Sequence, residues 1–161
     1  MTPVCVANAQ DREQEKTVYV DSAGAKEILK NGGYMGPCAT YGDKRSLGGG
    51  YFQTYVQLRP DGTPWGIGFE FPATTLQNLP TIRHDGMSCY DINGDGKLEI
   101  DPAPGVAQEF ANGHERVIDF PLSNKVTPFK FGLVNWQLHG HGPAGVYDVA
   151  HFDFHFYHQD R

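Results

Sequence analysis

The chain has 161 residues and a formal net charge of −6, and 39% of its residues are hydrophobic. This length is typical of one domain with enough apolar surface for a core. The basic residues do not form the cluster that a nucleic acid backbone requires, so nucleic acid is excluded as a partner. No apolar run in the sequence approaches the roughly 20 residues that span a bilayer.

Residues 1–16 are predicted to form a disordered tail or the remnant of an export signal. The triplet Ala7-Asn8-Ala9 resembles a signal-peptidase site, and the residues from Asp11 to Lys16 are almost all polar or charged. Residues 17–161 are predicted to form a single β-rich metal-binding domain in an extracytoplasmic compartment. In that setting a disulfide between Cys38 and Cys89 is one expectation, and free thiols are the alternative.

The predicted elements are mostly short strands separated by glycine and proline turns. In chain order we predict a strand (17–20), a helix (22–30), an irregular loop (32–50) and a hairpin (51–59 with 65–71). One short helical turn (73–78) and three further strands (116–120, 129–141 and 151–157) follow. The pattern predicts a mainly β fold, a single-domain antiparallel β-sandwich or barrel with one or two short helices.

The last two predicted strands each have one apolar face and one face of ligand-type side chains. Alternate residues of a strand share a face. In the last strand this rule places Phe152, Phe154 and Phe156 on one side and His151, Asp153, His155 and Tyr157 on the other. The same rule places His139 and His141 together at the end of the preceding strand.

This pattern predicts a site for a divalent transition metal such as Zn, Cu, Fe or Mn, because neutral imidazole nitrogens suit these ions. The predicted ligands are His139, His141, His151 and His155. Asp153 is predicted to be a fourth ligand or to orient an imidazole, and with Tyr157 it is a candidate for proton transfer in catalysis. The alternative is a solvated sheet face, although such a face is usually built from Lys, Glu, Thr and Ser.

The closing segment carries a family resemblance. The sequence NWQLHGHGPAGVYDVAHFDFHFY, residues 135–157, resembles the signature NWxxHGHxPxGVYDxPHFDFHFY of small uncharacterised bacterial proteins that are often exported. The predicted hairpin is also similar to the central hairpin of that family. The chain departs from the pattern at Ala150, where the signature has proline, and through an insertion around residues 84–102. The resemblance implies a shared fold and a shared histidine site but no known reaction.

A second motif, DINGDGKLE over residues 91–99, matches the front of a calcium-binding loop. Oxygen ligands at positions 1, 3 and 5 and glycine at position 6 are what calcium geometry requires. Position 12, where a bidentate acid should close the loop, is Pro102. A polar turn is therefore the alternative to a structural calcium ion. The predicted ligands are Asp91, Asn93, Asp95, Lys97 through its carbonyl, Glu99 and Asp101.

Three functions are compatible with these motifs. The first is a metal-dependent enzyme, a hydrolase, lyase or oxidoreductase that acts on a small molecule. The second is a non-catalytic metal-binding or stress-response protein, and the third is a calcium-stabilised binding module. The proton-transfer groups beside the predicted ligands favour the enzyme. Exposed strand edges make a homo-oligomer an additional expectation.

Overall fold

The computed structural model of the protein describes residues 1–8, 11–31, 36–82, 89–90, 94–97, 110–111, 113–123, 125–141 and 145–160. These residues form eleven strands, one α-helix and one 3-10 helix. In chain order they are β1 (Thr2–Asn8), β2 (Asp11–Val20), α1 (Ser22–Lys30), β3 (Ala39–Tyr41), β4 (Arg45–Leu47), β5 (Gly50–Leu58), β6 (Pro64–Glu70), the 3-10 helix (Ala73–Leu76), β7 (Cys89–Tyr90), β8 (Phe110–Ala111), β9 (His114–Asp119), β10 (Phe131–Gln137) and β11 (His151–Tyr157).

The N-terminal segment is a hairpin in which β1 pairs antiparallel with β2, from Thr2 opposite Val20 onward. The prediction of a disordered tail is therefore wrong for these strands, because paired backbone groups and a disulfide hold them. That disulfide joins Cys5 to Cys38. The expected bridge from Cys38 to Cys89 is also wrong, since Cys38 already has a partner 33 residues earlier. The export signal stays a prediction.

Helix α1 begins and ends where its sequence predicts. The Asp21 side chain accepts a hydrogen bond of 2.8 Å from the backbone N–H of Gly24, which satisfies one free donor of the first turn. Ala25 is the buried residue of the helix, and Asn31 ends it. The expected helical turn over residues 73–78 is the 3-10 helix Ala73–Leu76.

One sheet is built around β5, which pairs antiparallel with β3, β4 and β6. The predicted hairpin over 51–59 and 65–71 corresponds to β5 and β6, with a turn in which Arg59 N–H donates to the Thr63 carbonyl. The Thr63 hydroxyl and N–H both donate to Asp61, and these hydrogen bonds lower the pKa of that carboxyl. The loop predicted over 32–50 is wrong in part, because it contains β3 and β4, three residues each and too short to show periodicity.

The second sheet has the order β11-β10-β9, with every pair antiparallel. Phe52 of β5 is fully buried and packs on Phe152 and Phe154 of β11 at ring distances of 5.5 and 6.0 Å. Ile118 and Val134 are also fully buried in this core. Each such side chain contributes about 1.5–3 kcal/mol by leaving water. The two sheets thus face each other across an aromatic core.

The mainly β, antiparallel prediction is confirmed. The described strands form two packed sheets and two smaller pairs, β1 with β2 and β7 with β8, and within the described ranges these sheets do not close into a barrel. A sandwich is therefore the architecture. Among the described residues, no helix has the length and hydrophobicity needed to cross a membrane.

Candidate metal centre

Strand β11 presents two chemically different faces. Phe152 and Phe154 point into the core, where both contact Phe52. His151 and Asp153 alternate with them and therefore lie on the outer face of the same sheet. The pattern of the sequence predicted this alternation, and the observed strand has the predicted bounds.

The preceding strand is shorter than predicted. β10 ends at Gln137, not at His141, because Gly140 adopts φ = +67° and turns the chain. The backbone N–H of His141 then donates to the carbonyl of Tyr147 at 2.9 Å, which closes the loop back on itself. Since the strand alternation stops before residue 139, His139 and His141 do not share a strand face.

His141, His151 and Asp153 form a group that could hold a metal ion. The Nε2 atoms of the two histidines are 3.3 Å apart. One carboxylate oxygen of Asp153 is 3.4 Å from Nε2 of His141, and the other oxygen is 3.4 Å from Nε2 of His151. These separations exceed the roughly 2.7–2.9 Å of a charge-assisted hydrogen bond. The ligand atoms of the three groups all lie within 4.8 Å of one another, so a single ion could contact all of them.

The orientation of the His151 imidazole is set by the backbone two residues earlier. Its Nδ1 lies 2.6 Å from the carbonyl of Val149. A carbonyl oxygen only accepts, so Nδ1 carries the proton, and in the neutral ring Nε2 presents its lone pair to the cluster. A hydrogen bond of this kind is how proteins commonly fix the tautomer of a metal-binding histidine.

Tyr147 forms a wall of the cluster that the sequence did not reveal. Its ring lies 5.4 Å from the ring of His141 and 6.1 Å from that of His151. The side chain is 49% exposed, and the neighbouring Val146 and Val149 are exposed as well. Tyr147 lies outside the predicted strands and follows no hydrophobic periodicity, so only its position inside the histidine-rich segment could have identified it.

Asn135 lies directly opposite Asp153 in the register of β10 and β11, and Gln137 lies opposite His151. Both side chains are buried on the face of the cluster. The Oδ1 atom of Asn135 has no hydrogen-bond partner within the described parts of the chain. Leaving such an oxygen unpaired would cost about 1–3 kcal/mol, so a donor beside Asp153, such as a water molecule, is expected there.

The structure does not bring the remaining predicted site residues into this group. His139 is exposed at the bend after β10. His155 is exposed two residues beyond Asp153 on β11, about 7 Å further along the strand. Tyr157 is another two residues on, roughly 13 Å from Asp153, and its ring stacks on Phe131 at 4.7 Å. The predicted proton donor thus lies away from the cluster.

The predicted calcium loop lies mainly outside the described residues, which include neither Asp91 and Asn93 nor Glu99 and Asp101. Asp95 and Lys97 are described and exposed. The N–H of Lys97 donates to Asp95 Oδ1 at 2.9 Å, which is a local turn contact. Calcium at this loop stays a prediction.

No family model, curated protein or solved structure matches this chain. The interpretation of the cluster therefore depends on the chemistry of its own side chains.

Proposed function

We propose that the protein binds a divalent transition metal through His141, His151 and Asp153, and that it is a metal-dependent enzyme in which the ion activates water. The observation that carries this proposal is the proximity of two imidazole nitrogens and one carboxylate, whose ligand atoms all lie within 4.8 Å of one another. The proposal rests on geometry and donor chemistry, and the ion is expected to be resident rather than transient.

The spacing of the donor atoms supports a single ion bound by both imidazoles. Two metal–nitrogen bonds of about 2.0–2.1 Å that meet at a tetrahedral angle place their nitrogens about 3.4 Å apart. The observed separation of the two Nε2 atoms is 3.3 Å. A right-angled arrangement would place them about 2.9 Å apart, so the observed spacing lies within the range expected for one ion bound by both nitrogens. The Asp153 carboxylate faces both imidazoles and can bind through one oxygen or both.

Three protein ligands leave at least one coordination position open, which is the feature that separates catalytic from structural zinc sites. A water bound there would have its pKa lowered to about 7, which would give a nucleophile at neutral pH. The exposed Tyr147 lies beside both imidazoles and would contact whatever approaches that position. Hydrolysis or hydration of a small molecule is the reaction class that follows.

A second candidate, a metal-binding protein without turnover, is favoured by the exposure of the ligands. The side chains of His141, His151 and Asp153 are 29%, 20% and 25% exposed. A site this open would exchange its ion readily, as a carrier must. An open coordination position on the bound ion would favour the enzyme, and a closed coordination sphere would favour the protein without turnover.

The compartment we propose is extracytoplasmic. Disulfides form and persist in oxidising environments and are uncommon in the reducing cytosol. The bond between Cys5 and Cys38 supports that environment for this chain. Cellular fractionation with an antibody against the protein would test this part of the proposal.

Elemental analysis of the purified, untagged protein tests the metal site directly. We expect about one equivalent of zinc, iron, manganese or copper per chain, lost on chelation and restored on reloading. Replacement by Co²⁺ followed by titration with thiocyanate then tests for an open position, because a ligand that enters the coordination sphere changes the visible spectrum. An unchanged spectrum would favour the non-catalytic function. Calcium alone, or no metal after reloading, would overturn the proposal.

Gly140→Ala is expected to weaken metal binding by about tenfold or more, within the range seen when groups supporting a ligand are changed. A Cβ at this position would lie 1.9 Å from the carbonyl oxygen of Tyr147, the acceptor of the His141 N–H. The loop must therefore move, and His141 moves with it. Competition with a chromophoric chelator measures the affinity.

Gly145→Ala is the matched control for this prediction. Gly145 has φ = +77°, but a Cβ added at this residue would have nothing within 4 Å, so alanine there meets only the left-handed backbone penalty of roughly 1–2 kcal/mol. Equal loss of affinity in both variants would show that the contact with Tyr147 does not position His141.

A further inference from the structure

The outer face of the first sheet contains a cavity of about 220 Å³, away from the histidine cluster. Tyr41 and Ala39 of β3 lie opposite Tyr55 and Gln57 of β5 in the sheet register, and Glu70 of β6 lies opposite Gln53. Residues paired in this way share a face. The described residues that line the cavity are Ala39, Tyr41, Tyr55, Gln57, Phe69 and Glu70.

Two glycines of β6 lie opposite residues that line this cavity. Gly66 lies opposite Gln57 and Gly68 lies opposite Tyr55, so neither position adds a side chain above the strand. A Cβ on Gly68 would come within 2.9 Å of the Tyr55 ring, which shows that the ring lies directly over this glycine. The cavity, called the recess below, is therefore lined by a tyrosine ring that packs against the backbone of β6.

The chemistry of the recess combines a carboxylate with aromatic rings. Glu70 accepts a hydrogen bond from Nε2 of Gln53 at 3.4 Å, a neutral donor that leaves its negative charge in place. No described basic side chain forms an ion pair with Glu70. A carboxylate beside the negative faces of tyrosine rings attracts a cation.

We propose that this recess binds a small organic cation of the alkylammonium class, with its charge near Glu70 and its alkyl groups against Tyr41 and Tyr55. A cavity of this volume has room for about seven water molecules at ~30 Å³ each, which matches an ammonium group with a short alkyl substituent. The net charge of −6 favours the approach of a cation over that of an anion. The proposal is independent of the metal site.

Calorimetric titration of the chelator-treated protein tests this site without contribution from a bound metal. Choline is the probe, and 3,3-dimethylbutan-1-ol is its neutral counterpart of nearly the same shape. We expect choline to bind about tenfold more tightly than the alcohol. Glucose, added separately, tests whether the aromatic and amide groups recognise a sugar instead. Equal binding of choline and the alcohol, binding of glucose alone, or no binding would overturn the proposal.

Two substitutions test whether choline binds in the recess. Glu70→Gln keeps an oxygen that can accept from Gln53 but removes the charge, and we expect choline binding to weaken by about five- to tenfold. Tyr41→Leu removes a ring and is expected to weaken it by about two- to fivefold. Glu27→Gln on α1 is the matched control, because Glu27 also accepts a side-chain hydrogen bond, from Asn31. Loss of affinity in Glu27→Gln equal to that in Glu70→Gln would contradict the placement.

Discussion

His151→Ala is expected to lower the affinity of the protein for Zn²⁺ by about 100- to 1000-fold. Apparent binding energies of about 10–16 kcal/mol for four-ligand zinc sites correspond to roughly 2.5–4 kcal/mol for each ligand. The substitution removes Nε2 from the cluster and also the hydrogen bond from Nδ1 to the Val149 carbonyl. His141→Ala and Asp153→Ala are expected to have effects of the same size. Competition titrations with chelators of known affinity measure each of them.

The chain supplies controls of the same residue type within the same segment. His139 and His155 are exposed histidines outside the cluster, so alanine at either position is expected to change the affinity by less than about threefold. If His155→Ala lowered the affinity as strongly as His151→Ala, the ligand set would have to include the outer end of β11. If none of these substitutions changed it, the metal would be bound elsewhere.

Removing the disulfide by the double substitution Cys5→Ser and Cys38→Ser is expected to lower the free energy of unfolding by about 4 kcal/mol. The bond closes a loop of 33 residues, and the loss of loop-closure entropy from the unfolded chain predicts this magnitude. A stability of about 5–15 kcal/mol is usual for a domain, so the loss would be a large fraction of the total. Urea unfolding followed by tryptophan fluorescence measures the change.

Cys89→Ser is the control for the disulfide, since it removes a cysteine but leaves the bond between Cys5 and Cys38 intact. We expect it to leave the urea midpoint close to that of the unmodified protein. Treatment with dithiothreitol should reproduce the double substitution and have no further effect on it. A cross-linked peptide containing Cys89 after non-reducing digestion would contradict the observed pairing.

The parts of the fold that the sequence predicted are those with a repeating pattern. The alternation of Phe152, Phe154 and Phe156 defined β11 to the residue, and the predicted helix over 22–30 matches α1. The strands β3 and β4 were missed because three residues hold less than two periods of alternation. Their pairing with β5 is a tertiary effect, which local propensity does not encode.

The sequence predicted the types of residue in the candidate metal site, histidine and aspartate, but not the exact set of residues. Periodicity placed His151 and Asp153 on one face, and both are in the cluster. It also extended β10 as far as His141, because Gly140 was read as part of the strand rather than as the left-handed turn that it forms. The partner of Cys38 was missed for a related reason. Cys5 lies in the segment that was predicted to be a disordered tail. A contact between residues 33 positions apart also produces no local sequence pattern.

Because the two faces of β11 alternate along one strand, the aromatic core and the candidate metal site both depend on the register of that strand. Shifting the register of β11 against β10 by one residue would turn Phe154 outward and Asp153 inward, so a single change would abolish both the aromatic packing and two of the three donors. A change in the length of the loop between His141 and His151 has a different result. It would leave the core alternation intact and displace only the third donor. Insertions and deletions in this loop are therefore the route by which descendants of this chain could keep the fold while losing or altering its metal.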